Sequence, residues 1–156
     1  MELATYPNPI LRAHAAALPA VSKAERRLML RMLKHMRRWQ GIGLAAPQIG
    51  RSQQLFVAEV EGNVLMLANP EILEDRGTEE MAEGCLSLPG TMVRVRRSAF
   101  VWVRGLNEEN RPVEHKIQGL IARVVQHEFD HLHGKLITDY GPALAPDEVL
   151  RAGGTT

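Results

Sequence analysis

Two histidines and a glutamate lie close together in the segment QHEFDHLHG: His127 and His131 are four residues apart, and Glu128 follows the first histidine. Residues four apart lie on the same face of a helix. Two imidazoles on one face bind a divalent metal, while an adjacent carboxylate exchanges protons with a metal-bound water. The pattern is therefore typical of a hydrolytic metal site. A buried helix with two hydrogen-bonded histidines and a paired acid is the alternative.

A catalytic site of this kind needs a third protein ligand. In metalloproteases with the extended pattern H-E-x-x-H-x-x-G-x-x-H this ligand lies downstream, but Ile137 occupies that position here. His133 lies about 240° around the helix from His127, so we expect it to stay outside the site. Some downstream acids, in or near a segment rich in proline and glycine, remain alternatives: Asp139, Asp147 and Glu148.

The single cysteine, Cys85, offers an upstream ligand. It lies in the segment EGCLSLPG, next to a glycine and a polar turn rather than inside an apolar run. A thiolate with two imidazoles makes three protein ligands and leaves one coordination position for water, the arrangement of catalytic sites. An inert buried thiol is the alternative interpretation of this residue.

A third segment, GIGLAAPQ, covers residues 41–48. Its glycines allow a substrate backbone to approach closely, and the amide of Gln48 is able to donate a hydrogen bond to a developing oxyanion. Alone, the segment also fits a glycine turn that ends a helix. It does not indicate dinucleotide binding, because the third glycine is missing and no strand precedes it.

The three segments together, GIGLAAPQ, EGCLS and HEFDH, resemble the motifs of the peptide deformylase family, in the same order, within a resemblance that covers about residues 6–140. The resemblance implies an enzyme that removes the N-terminal formyl group from formyl-methionyl nascent peptides and releases formate. It implies Cys85, His127 and His131 as the metal ligands. A metal-bound water would be the nucleophile, and Glu128 the general acid and base.

The resemblance also implies a cofactor and a way to bind substrate. The implied oxyanion donors are the Gln48 side chain and the backbone N–H of Leu86. One divalent metal per chain is expected; the family favours Fe(II), while Zn, Ni or Co also suit thiolate and imidazole ligands. We expect a substrate peptide to run beside the chain as an added strand, next to an apolar pocket for methionine. The residues assigned to this substrate site are Gly41, Ile42, Gly43, Leu120 and Val124.

Hydrophobic periodicity indicates the elements that must position these residues. Helical spacing predicts one helix over residues 23–39, behind a capping box of Ser22 and Glu25, and a second, largely buried helix over residues 118–133. Short apolar runs between turn residues predict strands at 55–60, 64–68, 72–73, 100–103 and 113–117. Because helices and strands do not alternate regularly, the order favours an α+β fold.

We expect a single domain over residues 1–156, with a short flexible tail from about residue 141. The family resemblance adds that antiparallel strands enclose the central helix that carries HEFDH. Many bacterial deformylases end in a longer, basic helix associated with ribosome docking, whereas this chain ends in ALAPDEVLRAGGTT. The ribosome remains a candidate partner, but docking by that route is not expected.

Composition and charge exclude several classes of protein. The 19 basic and 18 acidic side chains nearly balance, which predicts no bulk attraction to nucleic acid or to an anionic membrane. Neither a long apolar run nor a secretory leader is visible, so a cytoplasmic location is expected. Two other functions stay open: a zinc peptidase, disfavoured by the missing downstream ligand, and a non-catalytic metal-binding domain, disfavoured by Glu128 and Gln48.

Neighbouring charged residues suggest supporting roles. Glu83 is expected to pair with an arginine and Asp130 to orient another polar group, although surface ion pairs are equally compatible with the sequence. Three arginines follow the cysteine segment and are interpreted as a solvated strand edge, with contact to the substrate peptide as the lesser alternative: Arg94, Arg96 and Arg97.

Overall fold

The computed structural model describes residues 1–152, over which three α-helices and seven β-strands form. The helices are α1 (Lys23–Arg38), α2 (Leu120–Leu132) and α3 (Pro146–Ala152). The strands are β1 (Gly43–Ala45), β2 (Leu55–Val60), β3 (Asn63–Arg76), β4 (Glu79–Cys85), β5 (Leu88–Arg97), β6 (Phe100–Leu106) and β7 (Pro112–Gln118). The last four residues of the predicted tail lie outside the described residues, and the tail's flexibility stays a prediction.

Two antiparallel sheets surround α2. Five strands form the larger sheet in the order β1-β2-β3-β6-β7, and β4 pairs with β5 as a separate two-stranded sheet. One face of α2 packs on β1, β2 and β7, where Val124 and Leu132 join Phe56, Leu67 and Val103 in one fully buried cluster. The expected α+β fold, with antiparallel strands around the histidine helix, is confirmed.

Helix α1 forms where the sequence predicts it. Ser22 and Glu25 make the capping box, with the Ser22 hydroxyl accepting from the N–H of Ala24. The apolar stripe of α1 is buried against β2 and its neighbours: Leu28, Met29, Met32, Leu33 and Met36. The helix ends as Gln40 takes a positive φ of 61° and the N–H of Gly41 donates to Met36 O at 2.9 Å. The chain then passes directly into β1.

The strand prediction was wrong in three places. One is β1, which was not among the predicted strands because its segment also fits a glycine turn. Asn69 and Pro70 were expected to separate two strands, but β3 continues through them with a shift in register between Ala68 and Glu71. A bulge accommodates the missing N–H of proline and lets the strand continue. The β4–β5 hairpin was also missing from the predicted strands, apart from the strand edge assigned to Arg94, Arg96 and Arg97, although Val93 and Val95 alternate with charged residues along β5. Among the described residues, no helix has the length and apolar character needed to cross a bilayer.

Candidate metal centre and active site

Helix α2 presents both histidines and the glutamate to one enclosed region. His127 and His131 are each 2% exposed and Glu128 is fully buried. The two imidazole centroids are 5.0 Å apart, as expected for residues one turn apart on the same face. The HEFDH helix therefore delivers two ligand candidates together.

Cys85 completes the group from the end of β4. Its side chain is 3% exposed, and its Sγ lies 3.3 Å from His131 Nε2. One donor atom from each of Cys85, His127 and His131 lies within 4.8 Å of the other two, so the structure brings the three predicted ligands together. The thiol is thus not an isolated filler of the core.

The downstream acids have other partners. Asp139 forms an ion pair with Arg12 at 2.6 Å, Asp147 lies 3.4 Å from Arg151, and Glu148 Oε1 accepts the N–H of Ala145. His133 is exposed, and its Nδ1 lies 2.9 Å from Phe129 O. These residues lie outside the cysteine–histidine group, as the missing ligand at Ile137 suggests.

Glu83 lies behind His127 and fixes its orientation. The Glu83 carboxylate is 1% exposed and its Oε1 lies 2.8 Å from His127 Nδ1. Burial alone would raise the pKa of Glu83, but hydrogen bonds from His127 and Arg97 outweigh it and lower the pKa to about 2. An ionised Glu83 accepts the Nδ1 proton, which leaves Nε2 as the His127 nitrogen with a lone pair for a ligand.

Two buried arginines hold the Glu83 carboxylate. Arg97 donates through Nε and Nη2 at 2.7 and 2.9 Å, and Arg123 donates through Nη1 at 2.6 Å. The expected arginine partner of Glu83 is confirmed, but interpreting Arg97 as part of a solvated strand edge was wrong, because it is 6% exposed. Sequence reasoning missed Arg123. Its position four residues before His127 on the same helix face was the available signal.

Asp130 extends the network from the same helix. Its Oδ2 accepts Arg97 Nη1 at 2.8 Å and a hydrogen bond from the Tyr140 hydroxyl. The expectation that Asp130 orients another polar group is therefore confirmed, since it holds the guanidinium that binds Glu83. Tyr140 had no functional signal in the sequence.

Glu128 is a buried carboxylate next to His127 on α2. Among residues 1–152, neither of its carboxylate oxygens accepts a hydrogen bond. Burial raises the pKa of Glu128 to about 7, because the anion is poorly solvated there. The carboxylate faces Gly43: a Cβ placed there would lie 2.2 Å from Glu128 Oε2. Only a glycine leaves this approach to Glu128 open.

The imidazole pKa values show how strongly the groups interact. Burial alone would lower the pKa of His127, but the charge of Glu128 and the contacts of Cys85 and Glu83 raise it to about 10. The pKa of His131 is lowered, by burial first and then by the positive charge on His127. The site thus concentrates ionisable groups in a region with little water, as active sites do.

Gln48 points its amide nitrogen at the cysteine segment. Its side chain is 1% exposed, and its Oε1 accepts the N–H of Ala45 at 2.9 Å. The nitrogen is the donor end, and it donates to Ser87 Oγ at 3.1 Å and to Cys85 Sγ at 3.7 Å. Leu86, the other expected donor, lies in the turn that joins β4 to β5. Both predicted donors are thus next to the metal ligands in the chain or in space.

The residues expected to bind substrate are only partly assembled. Ile42 packs with Val124 in the cluster around α2, whereas Leu120 begins that helix and is 38% exposed. A Cβ on Gly41 would lie 2.6 Å from Leu86 Cδ1, so the Gly41 backbone lies close to the cysteine turn. The apolar pocket for methionine stays a prediction.

The arrangement has a clear chemical meaning. One thiolate and two imidazoles suit a divalent transition metal, a buried carboxylate is available beside them, and an amide donor reaches the same region. Fold and site together define a metal-dependent hydrolase of the α+β class.

Comparison with known proteins gives the family. A family model described as polypeptide deformylase matches residues 1–146, and the chain belongs to that family. The predicted family, fold class and enzyme class are confirmed.

Individual relatives are similar to this chain over most of their length. A peptide deformylase of Alkalilimnicola ehrlichii is 45% identical over 97% of this chain and 87% of its own. The crystal structure of peptide deformylase from Thermotoga maritima has a TM-score of 0.87 and 40% identity, over 90% of this chain and 97% of that one. A peptide deformylase from Synechococcus elongatus, solved in complex with actinonin, has a TM-score of 0.87 and 37% identity, over 97% and 83%.

Proposed function

We propose that this protein removes the formyl group from the N terminus of formyl-methionyl nascent peptides. Membership of the deformylase family supports the reaction. The assignment to particular residues depends on one observation: the donor atoms of Cys85, His127 and His131 lie within 4.8 Å of one another. The two histidines are on the helix that also carries the buried Glu128, and Cys85 ends β4.

The residues fit a bound divalent metal. The sulfur and nitrogen donors are of the types that such metals prefer, and Glu83 presets the His127 tautomer by accepting its Nδ1 proton. When bound by Cys85, His127 and His131, the metal would lower the pKa of a coordinated water toward about 7 and polarise the formyl oxygen.

Glu128 moves the protons of the reaction. Its carboxylate accepts a proton from the attacking water and returns it to the amine that leaves when the C–N bond of the formamide breaks. A general base works best when its pKa lies near the working pH, and burial brings the pKa of Glu128 to about 7. The formyl carbon leaves as formate and the peptide keeps a free N-terminal amine.

Gln48 and Leu86 stabilise the charge that develops on the formyl oxygen. The bond that Ala45 makes to Oε1 fixes the amide plane of Gln48, and its nitrogen, which donates to Ser87 Oγ and Cys85 Sγ, would redirect one N–H to the formyl oxygen. Loss of one such donor in other enzymes lowers the rate on the order of 10²-fold to 10³-fold. The Leu86 N–H would be the second donor, from the turn that follows Cys85.

The substrate backbone would lie along β1. This edge strand pairs with β2 on one side only, so a peptide is able to add to it by strand pairing. Gly41 and Gly43 keep this path free of side chains, and Ile42 and Val124, with Leu120, would receive the methionine side chain. These assignments explain why a bulky residue at position 43 would block Glu128.

Three finer points complete the proposal. Fe(II) is the favoured ion, with Zn, Ni or Co as alternatives that the same ligand set accepts. The protein would act in the cytoplasm. The ribosome would be a partner because it carries the nascent substrate.

The test is formate release from formyl-Met-Ala-Ser by protein prepared anaerobically and reloaded with Fe(II) or Ni(II). The wild type should release formate, and Glu128→Ala with the same metal content should not. Unformylated Met-Ala-Ser should remain intact. Cleavage of its internal peptide bonds would instead support a zinc peptidase, and absence of formate from fully loaded protein would refute the proposal.

A further inference from the structure

The exposed face of α1 carries a concentration of positive charge that deformylation does not use. Seven of the 19 basic residues lie within its 16 residues, with Glu25 as the single acid. At about 100° per residue, all seven fall within about 140° of the helix circumference. They are Lys23, Arg26, Arg27, Arg31, Lys34, Arg37 and Arg38.

Charge elsewhere in the chain has the opposite sign. Outside α1, 12 basic side chains stand against 17 acidic ones. The net charge of +1 therefore hides a polarised molecule whose positive pole is one helix. The expectation of no nucleic-acid surface depended on that net charge and did not consider how the charge is distributed.

Acidic residues partly neutralise the positive charge at the two edges of the basic face of α1. Arg37 forms an ion pair with Glu59 at 2.6 Å. Lys23 and Arg26 line a groove that also contains Glu108 and Glu109. The strongest positive field therefore comes from the basic residues between these edges and from one neighbour in the turn before β2, Arg51.

Five exposed cations form what we call the cationic face: Arg27, Arg31, Lys34, Arg38 and Arg51. Among residues 1–152, none of them has a carboxylate within 4.0 Å. Arg27, Arg31 and Arg51 line one groove, in which Glu25 is the single acid. The pKa of His35 is lowered, by desolvation first and then by cations that include Arg38 and Lys34. Such a face is complementary to a polyanion.

The chemistry of the cationic face favours phosphate. Four of its five cations are guanidinium groups, which bind phosphate oxygens through two parallel hydrogen bonds. Helix α1 is about 24 Å long at about 1.5 Å per residue, so it presents cations along a straight line as a duplex backbone presents phosphates. Recognition of double-stranded RNA depends largely on such backbone contacts.

Other polyanionic partners fit less well. The apolar stripe of α1 is buried in the core, with Met32 fully buried and Met36 1% exposed. Leu30 is the one large apolar residue exposed on α1, so this helix has no continuous apolar side to insert into a membrane. Single-stranded RNA binds on aromatic side chains that stack with bases, and α1 contains no Phe, Tyr or Trp. Double-stranded RNA is therefore the polyanion that fits this face best.

We propose that the cationic face of α1 binds the phosphate backbone of double-stranded RNA without sequence preference. The proposal deepens the proposed function and rests on it in one respect: nascent peptides are carried by an RNA-rich particle. Arg38 lies only five residues before Gly43 in the chain, so an RNA held on this face would lie near the edge strand that receives the peptide.

The test measures binding of the metal-loaded full chain to a fluorescent RNA hairpin. Its duplex has about 20 base pairs, because a double-stranded RNA-binding domain spans about 16 base pairs. The variant is Arg27→Gln/Arg31→Gln/Lys34→Gln. The matched control, Arg76→Gln/Arg104→Gln/Lys116→Gln, removes the same charge from three exposed residues on β3, β6 and β7. Formyl peptide turnover is measured for all three proteins.

The wild type should bind with a slope of log affinity against log salt of about −4.5, since each of the five cations makes one phosphate contact and each contact contributes about −0.9. The cationic-face variant should lose on the order of 100-fold in affinity at low salt and about three units of slope. The control should bind as the wild type does. Turnover of the short peptide should be the same in all three, so the RNA result is independent of the deformylase result.

Three outcomes would overturn the proposal. One is no binding of the duplex by the wild type at low salt. Another is an equal loss in the control variant, which would mean that total charge and not this face determines binding. The third is preferential binding to phosphatidylglycerol vesicles over RNA, which would assign the face to a membrane surface.

Discussion

The buried Glu83 network gives a prediction with two separate readouts. Replacing Glu83 by glutamine removes a carboxylate that accepts from Arg97, Arg123 and His127. Arg97 would retain Asp130 at 2.8 Å. Arg123 would retain the carbonyl oxygens of Glu79 and Val95, but no anion.

Removing one partner of a buried ion pair costs about 3–5 kcal/mol. That is a large share of the roughly 5–15 kcal/mol that stabilises a typical domain. For a chain of this length each kcal/mol lowers Tm by about 2–4 °C, so the expected loss is about 6–20 °C. Loss of the His127 orienting bond should also weaken metal binding by about 10-fold to 100-fold.

Thermal unfolding of the metal-free proteins by circular dichroism measures the first effect, and competition with a chromophoric chelator measures the second. Asp130→Asn is the control that separates them, since it weakens the hold on Arg97 without touching His127: it should lower Tm but keep the metal affinity. Glu80→Gln breaks only exposed pairs of 3.5–3.7 Å and should change little. A Glu83→Gln protein with the Tm of Glu80→Gln and unchanged metal affinity would refute the reasoning.

Three further predictions follow from the same geometry. Gly43→Ala puts a methyl group 2.2 Å from Glu128 Oε2, so kcat should fall by about 10²-fold to 10⁴-fold while bound metal, measured by atomic absorption, stays at one per chain; near-normal kcat would contradict this. Gln48→Ala should lower kcat on the order of 10²-fold to 10³-fold with little change in KM, and a purely raised KM in steady-state assays would argue against an oxyanion role. The folded pKa of Glu83, about 2, lies below its ordinary 4.5, so its stabilisation is complete above pH 4.5 and is lost as pH falls toward 2. The difference in unfolding free energy between metal-free wild type and Glu83→Gln should therefore shrink by about 3 kcal/mol over that interval in urea titrations, and a constant difference would count against the assigned network.

The chemistry of the site was predictable because it depends on short-range spacing. Helical periodicity places His127 and His131 on one face from their separation alone. The turn residues around Cys85 indicate a thiol outside the apolar runs, and the family motifs connect it to the histidines. The structure then brings the three donor atoms together.

The supporting network was not predictable in the same way. Arg97 lies in a strand with Arg94 and Arg96, and strand alternation places it on the buried face of Val93 and Val95, but its acidic partners come from other elements. Arg123 is buried within an apolar helix, where its charge is tolerated because Glu83 lies opposite. The shared partner of both arginines is Glu83, which lies 14 residues from Arg97 and 40 residues from Arg123 in the chain. Periodicity does not predict such a pairing.

The secondary structure also divides into elements that local sequence predicts and elements that depend on distant contacts. Helix α1 was predictable from its cap and its stripe, because both are local. Strand β3 was predicted as two pieces, since proline and asparagine usually end a strand, and only its pairing with β6 carries it through the bulge at Ala68 and Glu71. Even the cationic face of α1 was visible as a row of residues, but its lack of acidic partners was not.

Titration of the metal-free chain with Co(II), with formate release measured on the same samples, tests the central claim most directly. The wild type should bind one ion per chain, show thiolate-to-metal absorption and release formate. Glu128→Ala should keep the ion and the absorption but release no formate, and Cys85→Ser should lose the absorption. An ion bound without thiolate absorption in the wild type, or turnover by Glu128→Ala at the wild-type rate, would contradict the account.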